Sequence, residues 1–143
     1  MPGTADEPHY EEWRDRLASE LEALEGKVIV FGHSLGASVS LKYCAQRGFD
    51  ARVAGLVLVA TPVWGTEEDW EREWALPKGW PEEGASLPPT FLFHSRDDEV
   101  IPFAHLDRCA KRLPTAEVHP LDGYGHLYEE GDLTPILNAV RSL

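Results

Sequence analysis

Ser34, in the run Gly32-His33-Ser34-Leu35-Gly36, has the setting best suited to nucleophilic chemistry in this sequence. A serine hydroxyl attacks a carbonyl carbon poorly at neutral pH and needs a base, usually an imidazole held by a carboxylate. Two carboxylates stand together downstream, Asp97 and Asp98, in the run Ser95 to Pro102. His126 then closes the glycine-rich run Asp122-Gly123-Tyr124-Gly125-His126. Serine, acid and histidine in that chain order match one of the arrangements in which such a triad occurs. Acyl transfer of this kind needs no metal and no cofactor, and none is expected.

The other five of the six histidines have plainer readings. His9 lies in a first helix and is expected in solvent. His33 sits inside the turn that carries Ser34 and points away from it, a structural place. His94 and His119 fall in or at the ends of strands, where a core histidine with satisfied partners is the usual explanation, and His105 lies on a helix. Asp122 is only four residues from His126 in the same loop and would reach it poorly.

The elements that must position these groups follow from hydrophobic patterning. Val28, Ile29, Val30 and Phe31 read as a strand buried on both faces, predicted over 27–31. A sharp turn into a helix over 35–47 puts Ser34 at its apex, with Gly48 as the cap. Gly32 and Gly36 are expected to clear space around that turn, where side chains would meet backbone. The alternative is a glycine-rich turn with a surface serine.

Before the turn, a helix over 8–25 carries Tyr10, Trp13, Leu17, Leu21 and Leu24 on one stripe. After it, apolar runs predict strands over 52–60, 90–94 and 116–121, with helices over 102–112 and from Thr134 to the end. Strands alternating with helices imply right-handed crossovers and a parallel sheet. The expected fold is α/β: a three-layer parallel sheet of about four strands with helices on both faces. Ser34, the aspartates and His126 all emerge at its carboxyl edge, where sites in open α/β sheets lie.

At 143 residues the chain can bury one core, and a single domain over 1–143 is the expectation. Within it, 63–89 is read as a Trp-rich insertion or lid-like loop carrying Trp64, Trp70, Trp74 and Trp80. Those rings either line an acyl or leaving-group pocket or anchor an irregular loop to the body. A net charge of −12 argues against nucleic acid and anionic membrane as partners. Cys44 and Cys109 stand in no metal or redox spacing and read as buried thiols, which fits a reducing compartment. The start of the chain is acidic and polar where a secretory signal is basic and then apolar, so a cytoplasmic place is expected.

Taken together, GHSLG at 32–36, GLVLVATP at 55–62, SRDDEVIP at 95–102 and GYGH at 123–126 resemble the small α/β-hydrolase family that includes retinoblastoma-binding protein 9 and YdeN-like bacterial proteins. The resemblance covers nearly the whole chain and implies a compact serine hydrolase with Ser34, Asp98 and His126 as its triad. Asp98 is chosen over Asp97 because an acid, two residues, an aliphatic and a proline follow the strand in many such enzymes, here Asp98, Ile101 and Pro102. Asp97 is left to cap or orient the turn. The substrate implied is a small-molecule ester, thioester or amide.

Family members carry a strand, a His-Gly loop and a further helix and strand ahead of the point this sequence resembles, so the fold expected is an N-terminally shortened α/β-hydrolase. That loop gives one of two oxyanion donors, leaving the backbone N–H of Leu35; one lost donor costs about 10² to 10³ in rate. Strand 27–31 is then an exposed edge and a surface for a homodimer. Two alternatives follow: a catalytically impaired binding protein with this fold, or an acyltransferase using the same triad.

Overall fold

The computed structural model describes residues 9–65, 69–82, 86–129 and 131–143. Four strands, β1 (Val28–His33), β2 (Val53–Val59), β3 (Thr90–Ser95) and β4 (Glu117–Leu121), pair in parallel in the order β1-β2-β3-β4. Five helices accompany them among the described residues: α1 (Tyr10–Ala23), α2 (Leu35–Arg47), α3 (Asp69–Arg72), α4 (Ala104–Arg112) and α5 (Thr134–Ser142). Right-handed crossovers that always advance in one direction put their helices on one face, and α2 and α4 accordingly share a face. Among the described residues, the chain reaches the other face after β4, with α5.

That first face is the larger core. Ala37, Leu41 and Cys44 of α2 and Leu106 and Cys109 of α4 pack on Val30, Leu56, Leu58 and Leu92, with α1 joining through Leu17 and Leu21. On the opposite face Val57, Val59, Phe91 and Phe93 meet Ile136 and Ala139 of α5 and the ring of Tyr128. All six residues of β3 are buried, as the central place of that strand requires. Both cysteines are free and buried, and burial pushes each thiol up to about 12.

Several boundaries differ from expectation. β1 runs on to His33 because Gly32 and His33 stay paired with Leu58 and Val59 of β2. Within the Trp-rich stretch, α3 ends at Arg72 and the chain turns at Glu73 and Trp74. β1 is not buried on both faces: Ile29 is 38% and Phe31 54% exposed. Val30 points to α2, so its neighbours point to the face that α5 covers only over β2 and β3.

The Trp-rich stretch divides. Trp74 is buried edge-on against Tyr10, ring centroids 6.2 Å apart, and Trp80 packs on the larger core, so both anchor the segment. Lys42 adds a second tie, donating to the Glu73 carbonyl at 2.6 Å with its ammonium 4.5 Å from the Tyr10 ring centre. Trp64 is half-buried and lines a cavity at the carboxyl edge of the sheet. The side chain of Trp70 lies outside the described residues.

Candidate active site

The turn between β1 and α2 is held in a conformation that side-chain-bearing residues rarely adopt. Ser34 has φ 52° and ψ −124°, a strained setting that raises it above the strand ends. Its N–H donates to the Val59 carbonyl at 2.9 Å, and its own carbonyl accepts from Ala37 N at 3.0 Å. Gly32 is required here, since a Cβ would lie 2.6 Å from Ala37 Cα. The expectation for Gly36 fails: a Cβ there would meet nothing within 4 Å. Gly36 faces an open groove between α1 and β1, and no element lies against it among the described residues.

Ser34, His126 and Asp98 come together although they are far apart in the chain. Ser34 Oγ lies 3.0 Å from His126 Nε2. His126 Nδ1 lies 3.0 and 2.9 Å from the two oxygens of Asp98. The Asp98 side chain is fully buried and that of His126 is 7% exposed. Asp98 Oδ1 also accepts from the N–H groups of Val100 and Ile101, at 2.9 and 2.8 Å. Burial raises the proton affinity of this carboxyl, but the bonds from His126, Ile101 and Val100 outweigh it and hold Asp98 below the usual carboxylate range. An acceptor-only carboxylate facing Nδ1 leaves Nε2 free to accept from a hydroxyl.

The loop bearing His126 is shaped by side chains from the loop bearing Asp98. Asp97 Oδ1 accepts from Gly123 N at 3.0 Å and Gly125 N at 3.4 Å. Ser95 Oγ accepts from Tyr124 N at 3.1 Å and donates to Asp97 Oδ1, while Glu99 Oε2 accepts from His126 N at 3.1 Å. Four successive amides, 123 to 126, are thus satisfied by Ser95, Asp97 and Glu99. Asp97 orients the turn, as its position suggested. Ser95 and Glu99 were not singled out by sequence, where they read as ordinary polar loop residues; the one signal was the density of acceptors in SRDDE facing a donor-rich glycine turn.

The remaining histidines are also placed. His33 turns away from Ser34 and its Nε2 meets the His126 carbonyl at 2.8 Å, bracing that residue from behind. His9 is solvent-exposed beside Glu73. His105 Nδ1 accepts from Val63 N at 2.9 Å. His119 departs from the core reading: β4 is an edge strand, and the ring stacks on Phe93 with its side chain 38% exposed. Asp122 reaches Arg96, at 3.4 Å. Leu35 opens α2, so its N–H has no acceptor within the helix and lies next to Ser34. Among the described residues no cluster of three or more potential metal ligands occurs and no helix is long and apolar enough to cross a membrane.

A family profile described as serine hydrolase matches residues 3–140. A comparison with curated proteins returned no match. Among solved structures, the fold is similar to a predicted CIB-like hydrolase from Thermoplasma acidophilum, at 17% identity and a TM-score of 0.69 over 96% of this chain. The ydeN gene product of B. subtilis is similar at 22% identity and a TM-score of 0.69 over 94% of the chain. The esterase RhEst1 from Rhodococcus sp. ECU1013 is similar at 18% identity and a TM-score of 0.69 over 99%. The chain spans 62% of the length of the Thermoplasma protein, 74% of the B. subtilis protein and 75% of the Rhodococcus esterase.

Proposed function

The chain belongs to the serine hydrolase family, and on that premise we propose that it hydrolyses a small ester, thioester or amide with Ser34, His126 and Asp98 as its triad. The observation that carries the reading is the continuous chain of contacts from Ser34 Oγ through His126 to the buried Asp98. His126 Nε2 takes the proton as Ser34 Oγ bonds to the carbonyl carbon, and Asp98 holds the Nδ1–H tautomer and stabilises the imidazolium. The negative charge that develops on the carbonyl oxygen is met by Leu35 N–H at the positive end of α2. Collapse of the tetrahedral intermediate expels the leaving group with the proton from His126, and water then releases the acid by the same steps in reverse.

An ester is the favoured substrate, in keeping with the Rhodococcus esterase whose fold this chain shares. A cavity of about 640 Å³ bordered by Val63, Trp64, Ile101, Pro102 and His105 opens at the same edge of the sheet and offers room for a small acyl or leaving group. For a partner of its own kind, we propose the outer edge of β1, where Ile29 and Phe31 are exposed and where no strand pairs among the described residues.

The test is hydrolysis of p-nitrophenyl acetate. Turnover by the wild type with none above background for Ser34→Ala is expected. Equal rates for the two proteins would overturn the assignment, and a folded chain with no turnover of any short ester would favour a binding protein that retains the fold.

A further inference from the structure

One buried imidazole beside the triad has no part in the steps above. His94, near the end of β3, is 1% exposed. Its Nε2 lies 2.9 Å from the Ile101 carbonyl and 3.2 Å from Asp98 Oδ2, while its Nδ1 is buried with no partner. Both neighbours of Nε2 are acceptors, so Nε2 carries the hydrogen. A second proton, at Nδ1, would be a buried donor facing nothing, so the ring is neutral. Ile101 closes a ring of contacts: its carbonyl accepts from His94 and its N–H donates to Asp98 Oδ1.

Resting on the triad reading, we propose that His94 is a positioning residue for the reaction at Ser34. Its Nε2–H fixes the 98–101 turn and lies against Asp98 Oδ2, one of the two oxygens that face His126 Nδ1. The carboxylate then divides its negative charge between two imidazoles, one neutral and permanent, the other cycling through its protonated form. Without His94, Asp98 would bind the imidazolium form of His126 more tightly, and His126 would hold its proton to higher pH.

Of the other ionisable groups around this pair, only the buried Tyr128 hydroxyl is without a hydrogen-bond partner among those named here. Glu99 accepts from His126 N and Asp97 from the glycine amides. His33 meets the His126 carbonyl, and the Tyr128 ring packs on His33. From α4, His105 accepts from Val63 N, and burial together with the Arg108 charge lowers its proton affinity against a smaller pull from Asp98. Arg96 stacks over Phe103, whose ring meets His94 edge-on.

The experiment compares wild type, His94→Phe and His94→Gln by the pH dependence of kcat/KM for p-nitrophenyl acetate. His94→Phe keeps the ring's bulk and removes the N–H; the acid limb should move to higher pH, with kcat falling about tenfold at little change in KM. His94→Gln, which replaces the N–H, should bring the limb back toward wild type. Variants that differ in Tm while the limb stays put would reduce His94 to a structural role and overturn the proposal. Nitrogen-15 NMR of the wild type at about pH 8 gives a readout independent of turnover and of variant folding: His94 should be the Nε2–H tautomer, and an Nδ1–H ring would overturn it. A wild type without turnover would sink the triad reading, while the NMR readout would still decide the state of His94.

Discussion

Asp98 differs from Ser34 in what its loss should do. Asp98→Asn keeps the shape of the site but offers an amide where His126 needs an acceptor for Nδ1–H, so the imidazole can settle into the wrong tautomer. A fall in kcat of roughly 10⁴ is expected, measured with an activated ester, and a variant within tenfold of wild type would show that Asp98 does not hold the tautomer. Acid should also weaken the fold through the carboxylates. Asp98 and Asp97 are held below the usual range by hydrogen bonds, and the Arg52 guanidinium and amide hold Asp50 to about 2. Groups lowered in the folded state stabilise it above their unfolded value of about 4 and lose that contribution as pH falls through their folded values. Urea midpoints should therefore be level above pH 5 and decline between about pH 4 and pH 2; a midpoint that held steady across that window would contradict the assignment.

The turn between β1 and α2 separates two glycines that look equivalent in the sequence. Gly32→Ala forces a Cβ to 2.6 Å from Ala37 Cα and should destabilise by about 1–3 kcal/mol. Gly36→Ala meets nothing within 4 Å, lies in α2 and should leave stability unchanged or raise it by up to about 1 kcal/mol. Thermal unfolding of the pair decides this, and equal losses would mean that Gly36 is packed after all. The pattern Gly-x-Ser-x-Gly could be read as a turn from sequence, but which glycine is crowded depends on what packs beside it, and that depends on the edge position of β1. The loops carrying Asp98 and His126 show a similar limit. Their order and their place after β3 and β4 were legible because apolar runs and glycine turns are local signals. That Ser95, Asp97 and Glu99 take up the amides of 123–126 was not, because it depends on the parallel pairing of β3 with β4. Asp97→Ala should free the Gly123 and Gly125 amides and loosen His126, lowering kcat by on the order of tenfold to a hundredfold. Unchanged kcat would show that the turn holds its shape alone.

The two edges of the described sheet are built differently. β4 carries the exposed residues Glu117 and Pro120, a charge and a ring without a donor, which discourage another strand from pairing. β1 presents exposed Ile29 and Phe31 with no charged side chain between them. The sequence marked this strand as apolar and an edge, yet a run of Val, Ile and Phe reads alike whether one face or both are covered. Pairing of β1 with a second copy should appear as concentration-dependent association in sedimentation velocity and be abolished by Phe31→Lys; a wild type monomeric at every concentration would exclude it. Association of that kind leaves Ser34, His126 and Asp98 intact, so the central claim is tested without it. Incubation with a fluorophosphonate probe, followed by intact-mass and peptide mass spectrometry, reads directly whether the Ser34 hydroxyl is activated. One adduct per chain on the peptide containing Ser34, lost in Ser34→Ala, is the predicted result; no adduct on the folded wild type, or an adduct on another serine, would contradict it.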